Sequence, residues 1–361
     1  ARLMKRESLK EASWMVVKFG TGILTNRSKQ IDPGQIEQLV AQVAAQCQAG
    51  REVVVVSSGA VGAGMGVLAM DKRPTDLSDL QACAAVGQSQ LMSTYTKLFA
   101  RHNMQVAQVL LTHDDLEDKD RHLNARNTLV SLLNKGVVPI VNENDAVSYT
   151  ELKFGDNDWL AALVACLLPA DLLVILTTVD GLVKNFGKKK PSTIPVVEKI
   201  DADIQKLAGG TSSATAIGGM EAKLRAARMT VRTGIPMVIA SGRKKRTLAN
   251  ILGGQDEGTY FVPRPGRLKG HKRRIAFFHH PKGSLWVDDG ARDALRDKGK
   301  SLLPPGVAKC NGDFAKGDVV RICDINGTEF SRGISRFDAD EIRARELKGI
   351  EIVHRNDLVI L

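Results

Sequence analysis

Two lysines and one crowded run of carboxylates and amides are where this sequence could do chemistry. Lys18 stands in or just past the first apolar run, where an ammonium without a counter-charge is expensive, so an anionic partner is expected. Lys223 follows AIGGMEA and is expected in the first turns of a helix beginning near Gly219, beside the positive end of the helix dipole. That position is unfavourable unless an anion lies between the two charges; the plainer alternative is a solvated surface lysine. A phosphoryl group in transfer would satisfy both lysines.

The run NENDAVSYTELKFGDND, residues 142–158, sets Asn142, Glu143, Asn144, Asp145, Asp156, Asn157 and Asp158 between two apolar segments. A metal cage, a site for a small charged substrate and a solvated loop compete for it. Three of these seven groups are amides, and Asp145 and Asp158 fall on different loops, so no metal-ligand set is assigned. An amino acid suits the run better, because Asn and Asp can take its ammonium while backbone N–H groups hold its carboxylate. Asp158 opens a helix that begins WLAAL and reads either as its N-cap or as a carboxylate that orients the lysines.

Glycines gather after the first two apolar runs, in KFGTG (18–22) and SSGAVGAGMG (57–66). Without a Cβ in the way, backbone N–H groups there can approach a phosphate or carboxylate, although tight turns alone would also use glycine. The familiar nucleotide fingerprints fit poorly. Gly62, Gly64 and Gly66 give G-x-G-x-G, and the near-Walker segment from Gly181 to Lys188 has five intervening residues and no Ser or Thr after its lysine.

The elements that must position these residues alternate along the first two-thirds of the chain. Apolar runs at 14–19, 53–56, 106–111, 137–141, 172–177 and 236–240 read as buried strands; helical periodicity occupies 33–49, 77–101, 121–135, 159–168 and 219–233. Buried strands alternating with helices predict an α/β three-layer sandwich on a mostly parallel sheet, with ligands bound beyond the carboxyl ends of the strands. The texture changes after about residue 259. VPRPGRLKGHKRR reads as a basic linker, and the remainder, with Asn326–Gly327 as a hairpin signal, as a small, mainly β domain. The expected boundaries are 1–262, a linker at 263–282 and a C-terminal domain at 283–361.

Length and composition agree with this plan, since 361 residues at 43% hydrophobic can bury a large core and a smaller one. The opening ARLMKRESLKEASW has no apolar centre and predicts no secretory signal. The apolar window 160–179 carries Pro169 and Asp171 and reads as helix, turn and strand, which argues against a membrane partner. Five scattered cysteines, none in a Cys-x-x-Cys pair, point to free thiols in a reducing cytoplasm. The net charge of +11 is uneven: from 242 to 282 eleven basic residues face two acidic ones, a solvated linker or a nucleic-acid footprint.

The motifs KFGTG, SSGAVGAG, AAVGQSQLM, LNARNTL, PIVNENDAV, FGDND, LTTVDGL and IGGMEAKLRAA, in this order and spacing, resemble the glutamate 5-kinase family of the amino acid kinase superfamily. The segments SLLPPGV, GDFAKGDVVRI and RGISRF resemble a PUA domain. The resemblance implies phosphorylation of the glutamate γ-carboxylate by ATP, the first step of proline biosynthesis, with Mg2+ carried on the nucleotide phosphates and no protein metal ligand. It implies that Lys18 and Lys223 stabilise the transferring phosphoryl group while Asp158 holds them. Ser58 with Gly59 and Ala60, Asp145 and Asn157 would bind glutamate; Lys18, Gly20, Thr177, Thr178 and the segment Ile217, Gly218, Gly219, Met220, Glu221, Ala222, Lys223 would contact ATP. It further implies a cytoplasmic homo-oligomer that hands its product to γ-glutamyl phosphate reductase, with RNA as a further partner of the PUA-like domain.

The chain departs from the family pattern on the nucleotide side. Thr178 stands where Asp is usual, Ile217 where Thr is usual, and Glu221 and Ala222 where Ser or Thr is usual; the region after Gly181 lacks the usual Asp-Pro. These put nucleotide affinity or choice in question. Two other functions stay open at this point: a kinase for another small carboxylate, and an RNA-binding protein with a vestigial kinase domain.

Overall fold

The computed structural model describes residues 5–26, 30–147, 157–168, 170–184, 191–209, 214–264, 272, 275–276, 281–345, 347 and 349–361; at 119, 209 and 214–218 only the backbone is described. The chain divides into two compact units, Ala1–Arg267 and Leu268–Leu361.

In the first unit the strands are β1 (Trp14–Phe19), β2 (Glu52–Val56), β3 (Gln105–Leu111), β4 (Val137–Glu143), β5 (Leu172–Thr177), β8 (Val196–Val197), β9 (Met237–Ser241) and β10 (Thr259–Phe261), with β6 (Val183–Lys184) and β7 (Ser192–Thr193) as a separate antiparallel pair. The large sheet runs β3-β4-β2-β1-β5-β9-β10-β8, and only the β9–β10 pairing is antiparallel. β1, β2 and β5 are apolar runs buried over nearly their whole length, as strands covered on both faces must be.

The covering helices are α1 (Thr21–Leu24), α2 (Pro33–Gln48), α3 (Ala60–Val67), α4 (Leu77–Ala100), α5 (His113–Glu117), α6 (Lys119–Asn134), α7 (Asp158–Leu167), α8 (Ala202–Gly209), α9 (Ala214–Arg232) and α10 (Thr247–Leu252). Local chemistry sets their starts. Asp32, Asp76 and Asp118 each accept backbone N–H bonds at the N-termini of α2, α4 and α6, and Pro33 suits the first turn of α2. α3 and α4 pack backbone against backbone: a Cβ on Gly64 would fall 1.8 Å from Cys83 O, and one on Gly87 1.8 Å from Ala60 O. The apolar window suspected above is α7, a turn and β5, and among the described residues no helix is long and apolar enough to cross a membrane.

One expected boundary is corrected. α9 begins at Ala214 rather than near Gly219, so Lys223 lies in the helix interior and the opposition to the helix dipole argued from its first turns does not apply. The helix runs through both Gly218 and Gly219.

In the second unit five strands, β11 (Gly283–Val287), β12 (Val307–Gly312), β13 (Val319–Cys323), β14 (Glu329–Ile334) and β15 (Leu358–Ile360), form a sheet ordered β12-β11-β13-β14-β15. Leu285, Val320, Ile322, Ile352 and Val353 are core residues here, beneath α11 (Asp289–Arg296) and α12 (Ala339–Ala344). The Asn326–Gly327 turn joins β13 to β14, with Gly327 at φ 86°. Within the 263–282 segment, Ile275 and Ala276 are buried against Val319 and Val359. Arg267, Lys269, Arg273 and Arg274 of the basic stripe lie outside the described residues.

Candidate active site

Parallel strands deliver their carboxyl ends to one edge of the sheet, and hydrogen bonds between neighbours hold the first residues past each strand. Gly20 N donates to Leu176 O at 3.0 Å, Ser57 N to Val141 O at 2.8 Å and Gly242 N to Thr177 O at 2.9 Å. Lys18 on β1, Ser57 and Ser58 after β2, Asn142 and Glu143 on β4 and Thr177 on β5 are therefore assembled by the sheet alone.

At the centre, Asp158 binds both lysines, with Oδ1 2.6 Å from Lys18 Nζ and Oδ2 2.8 Å from Lys223 Nζ. Asp158 is 0% exposed, Lys18 3% and Lys223 8%. Asp158 is the first residue of α7 and Asn157 is the cap, with no side-chain cap bond, so the N-cap alternative for Asp158 does not hold. Its carboxylate sits at the N-terminal end of α7, the positive end of the helix dipole. Lys223 Nζ also donates to Gly219 O at 3.1 Å, and two residues on, the Arg225 guanidinium lies 5.2 Å from the Trp159 ring, joining α9 to α7 beside the ion pairs.

The amide side is equally ordered. Asn157 Nδ2 donates to Ser57 O at 2.7 Å and to Asn142 Oδ1 at 2.6 Å; Asn142 Nδ2 in turn donates to Gln88 Oε1 at 2.8 Å. Ser58 Oγ, in a residue 5% exposed, has no hydrogen-bond partner among the described residues, an arrangement that suits a ligand. Gly59 takes φ 89°, a left-handed conformation that turns the chain into α3 at Ala60. A cleft of about 410 Å³ opens alongside, lined among others by Ala60, Gln88, Glu143, Asn144 and Asp145. Asp145 is half-buried in the turn after β4.

On the opposite side of Lys18, Thr177 is half-buried and Thr178 exposed, with Gly22 so close that a Cβ on it would lie 2.9 Å from Thr178 Cγ2. Gly219, Met220 and Ala222 are partly buried near the middle of α9 and Glu221 is exposed; the side chains at 217 and 218, and residue 156, lie outside the described residues. Sequence reasoning assigned no role to Gln88, which supports Asn142 from α4, nor to Tyr95, whose hydroxyl lies 2.8 Å from Ser57 Oγ.

Residues 13–241 match the Amino acid kinase family and residues 283–355 the PUA domain. A glutamate 5-kinase of Geobacter sp. (strain M21) is 43% identical over 99% of this chain and 100% of its own length, and one from Moorella thermoacetica (strain ATCC 39073 / JCM 9320) is 44% identical over 99% and 98%. This chain belongs to the glutamate 5-kinase family. A solved carbamate kinase from Giardia lamblia, bound to AMP-PNP, shares the fold at TM-score 0.53 and 20% identity over 71% of this chain and 100% of that one.

Proposed function

We propose that the chain transfers the γ-phosphoryl group of ATP to the γ-carboxylate of glutamate, giving γ-glutamyl phosphate and ADP as the first step of proline biosynthesis. The observation that carries this reading is the buried Lys18–Asp158–Lys223 arrangement, two cations fixed by one carboxylate at the meeting point of the glycine loops and the amide cluster. A carboxylate is already a nucleophile, so no general base is needed, and rate must come from alignment and charge neutralisation.

In this reading Ser58, with Gly59 and Ala60, Asp145 and Asn157 hold glutamate, and the Asn142–Gln88 contact keeps Asn157 turned toward it. Lys18 and Gly20, Thr177 and Thr178, and the 217–223 segment hold the nucleotide. As negative charge spreads over the transferring oxygens, Lys18 and Lys223 neutralise it from positions already set by Asp158, so little reorganisation accompanies the step. Both Asp158 oxygens are engaged by ammonium groups, and Mg2+ is proposed to arrive on the nucleotide phosphates. The ion would supply positive charge to the nucleotide beside that of Lys18 and Lys223.

The five free thiols suit a reducing cytoplasm. The acyl phosphate product hydrolyses in water, which favours handover to the reductase that consumes it, from a homo-oligomeric enzyme. The test is ATP-dependent formation of γ-glutamyl hydroxamate in the presence of hydroxylamine, with ADP released in step. Hydroxamate with glutamate and none with aspartate or acetylglutamate is expected; ADP release independent of glutamate would overturn the reading.

A further inference from the structure

The basic stripe read along the sequence as one feature begins with a tetrad that stands at the sheet edge. Arg243, Lys244, Lys245 and Arg246 follow β9, whose last residue Ser241 is in register with Thr177 of β5. Gly242 N bonds Thr177 O, so the chain leaves the sheet beside Thr177 and Thr178, and a Cβ on Gly242 would fall 2.4 Å from Ile23 Cδ1 of α1. The next residue, Arg243, is exposed and reaches Gly22 O at 3.4 Å, the same glycine that crowds Thr178.

This loop is held with unusual completeness. Three glutamines on one face of α2 donate to three successive carbonyls: Gln35 Nε2 to Gly242 O at 2.9 Å, Gln38 Nε2 to Arg243 O at 3.0 Å and Gln42 Nε2 to Lys244 O at 3.1 Å. Lys244 Nζ joins two carboxylates, Asp180 at 2.9 Å in the loop after β5 and Glu257 at 2.8 Å, and Glu257 is fixed again by Asn250 at 3.1 Å. Lys244 thus ties the 178–181 loop to the 243–246 loop. Arg243, by contrast, contacts a carbonyl rather than a carboxylate, so its charge is available to an anion at the edge shared by Gly20, Gly22 and Thr178.

We infer that Arg243 is a nucleotide-side anion contact that takes a phosphate of the nucleoside triphosphate, and that Lys244 is the positioning residue that fixes its loop. The inference rests on the proposed reading of Thr177 and Thr178 as nucleotide contacts. A guanidinium matches a phosphate with paired donors, and Thr178, an uncharged residue, stands beside the same Gly22 that Arg243 reaches.

The experiment is calorimetric ATP binding without glutamate, paired with the hydroxamate assay, on Arg243→Met, Lys244→Met, Lys244→Arg and the exposed control Lys245→Met. Arg243→Met is expected to weaken ATP binding and raise KM for ATP about tenfold, with kcat at saturating ATP and KM for glutamate unchanged. Lys244→Met should raise KM for ATP in the same selective way and Lys244→Arg should restore it, whereas Lys245→Met should match the wild type. Unchanged ATP affinity in Arg243→Met, in a wild type that forms hydroxamate, overturns this inference alone. A wild type that neither binds ATP nor forms hydroxamate overturns it together with the proposed function.

Discussion

Asp158 Oδ2 lies 2.8 Å from Lys223 Nζ, although the two residues are 65 positions apart and come from separate helices. The other oxygen of the same carboxylate holds Lys18, so one buried anion sets the positions of two cations. Removing the carboxylate would leave two buried ammonium groups opposed, which is why Asp158 serves structure and chemistry together. The paired lysines are the feature on which the proposed chemistry turns.

The amide cluster should act on one substrate. Asp145→Ala and Asn157→Ala are expected to raise KM for glutamate at least tenfold while leaving KM for ATP nearly unchanged, because losing a partner of a buried charge costs on the order of 3 kcal/mol. Steady-state kinetics with each substrate varied in turn checks this. Equal rises in both constants would place these residues outside a dedicated glutamate site.

Gly87 should be intolerant of any side chain. A Cβ there would stand 1.8 Å from Ala60 O, backbone against backbone, at the start of the helix that follows Ser58 and Gly59. Gly87→Ala is expected to cost roughly 1–3 kcal/mol and to lower the melting temperature, with a higher KM for glutamate in whatever folds. A melting temperature equal to that of the wild type would show that α3 and α4 separate without cost.

Alkaline conditions should weaken the fold. Burial pushes the Cys47 thiol up to about 11 and the Tyr260 phenol up to about 12, against ordinary values of 9.0 and 10.0. The unfolded chain therefore releases these protons first as pH rises. Stability from these groups is fully present below pH 9.0 and is lost as pH climbs through about 11 and about 12. Urea midpoints followed from neutral to alkaline pH are expected to stay level and then fall; a midpoint that rises above pH 9.0 contradicts the assignment.

Much of this architecture was legible from pattern alone, and the reasons are local. The runs expected at 14–19 and 172–177 are the strands Trp14–Phe19 and Leu172–Thr177, because β-branched and apolar residues, broken in the first run only by Lys18 and bounded by turn chemistry, leave little choice. Short Thr259–Phe261 was not legible, since three residues carry no period and its antiparallel pairing with Met237–Ser241 is set by tertiary contact. The start of α9 lies five residues before the expected one, because Gly218 and Gly219 are weak helix formers and give no signal of a helix that already runs through them. At the site, Lys18 was legible from the physical cost of burying charge; Lys223 was singled out by a helix-dipole argument that the earlier start of α9 removes, and Asp158 stood open between an N-cap and a carboxylate that orients the lysines. Gln88 was not legible, because nothing in a 24-residue helix reveals which of its polar residues faces Asn142.

Catalysis should be separable from the second unit. A chain ending at Arg267 retains every residue assigned to chemistry and one complete compact unit. It is expected to fold cooperatively and to form hydroxamate with glutamate at a rate within about tenfold of the full chain. A truncated chain that folds but is inert would assign the second unit a part in the reaction.

The most direct test of the account is the turnover number of Lys18→Ala and Lys223→Ala, measured with both substrates saturating. Each lysine is proposed to act mainly on charge in transit, so kcat should fall about a hundredfold, on the order of 3 kcal/mol, while KM for glutamate changes little. Near-normal kcat in either folded variant, or a loss confined to KM, would contradict the role given to the Lys18–Asp158–Lys223 arrangement.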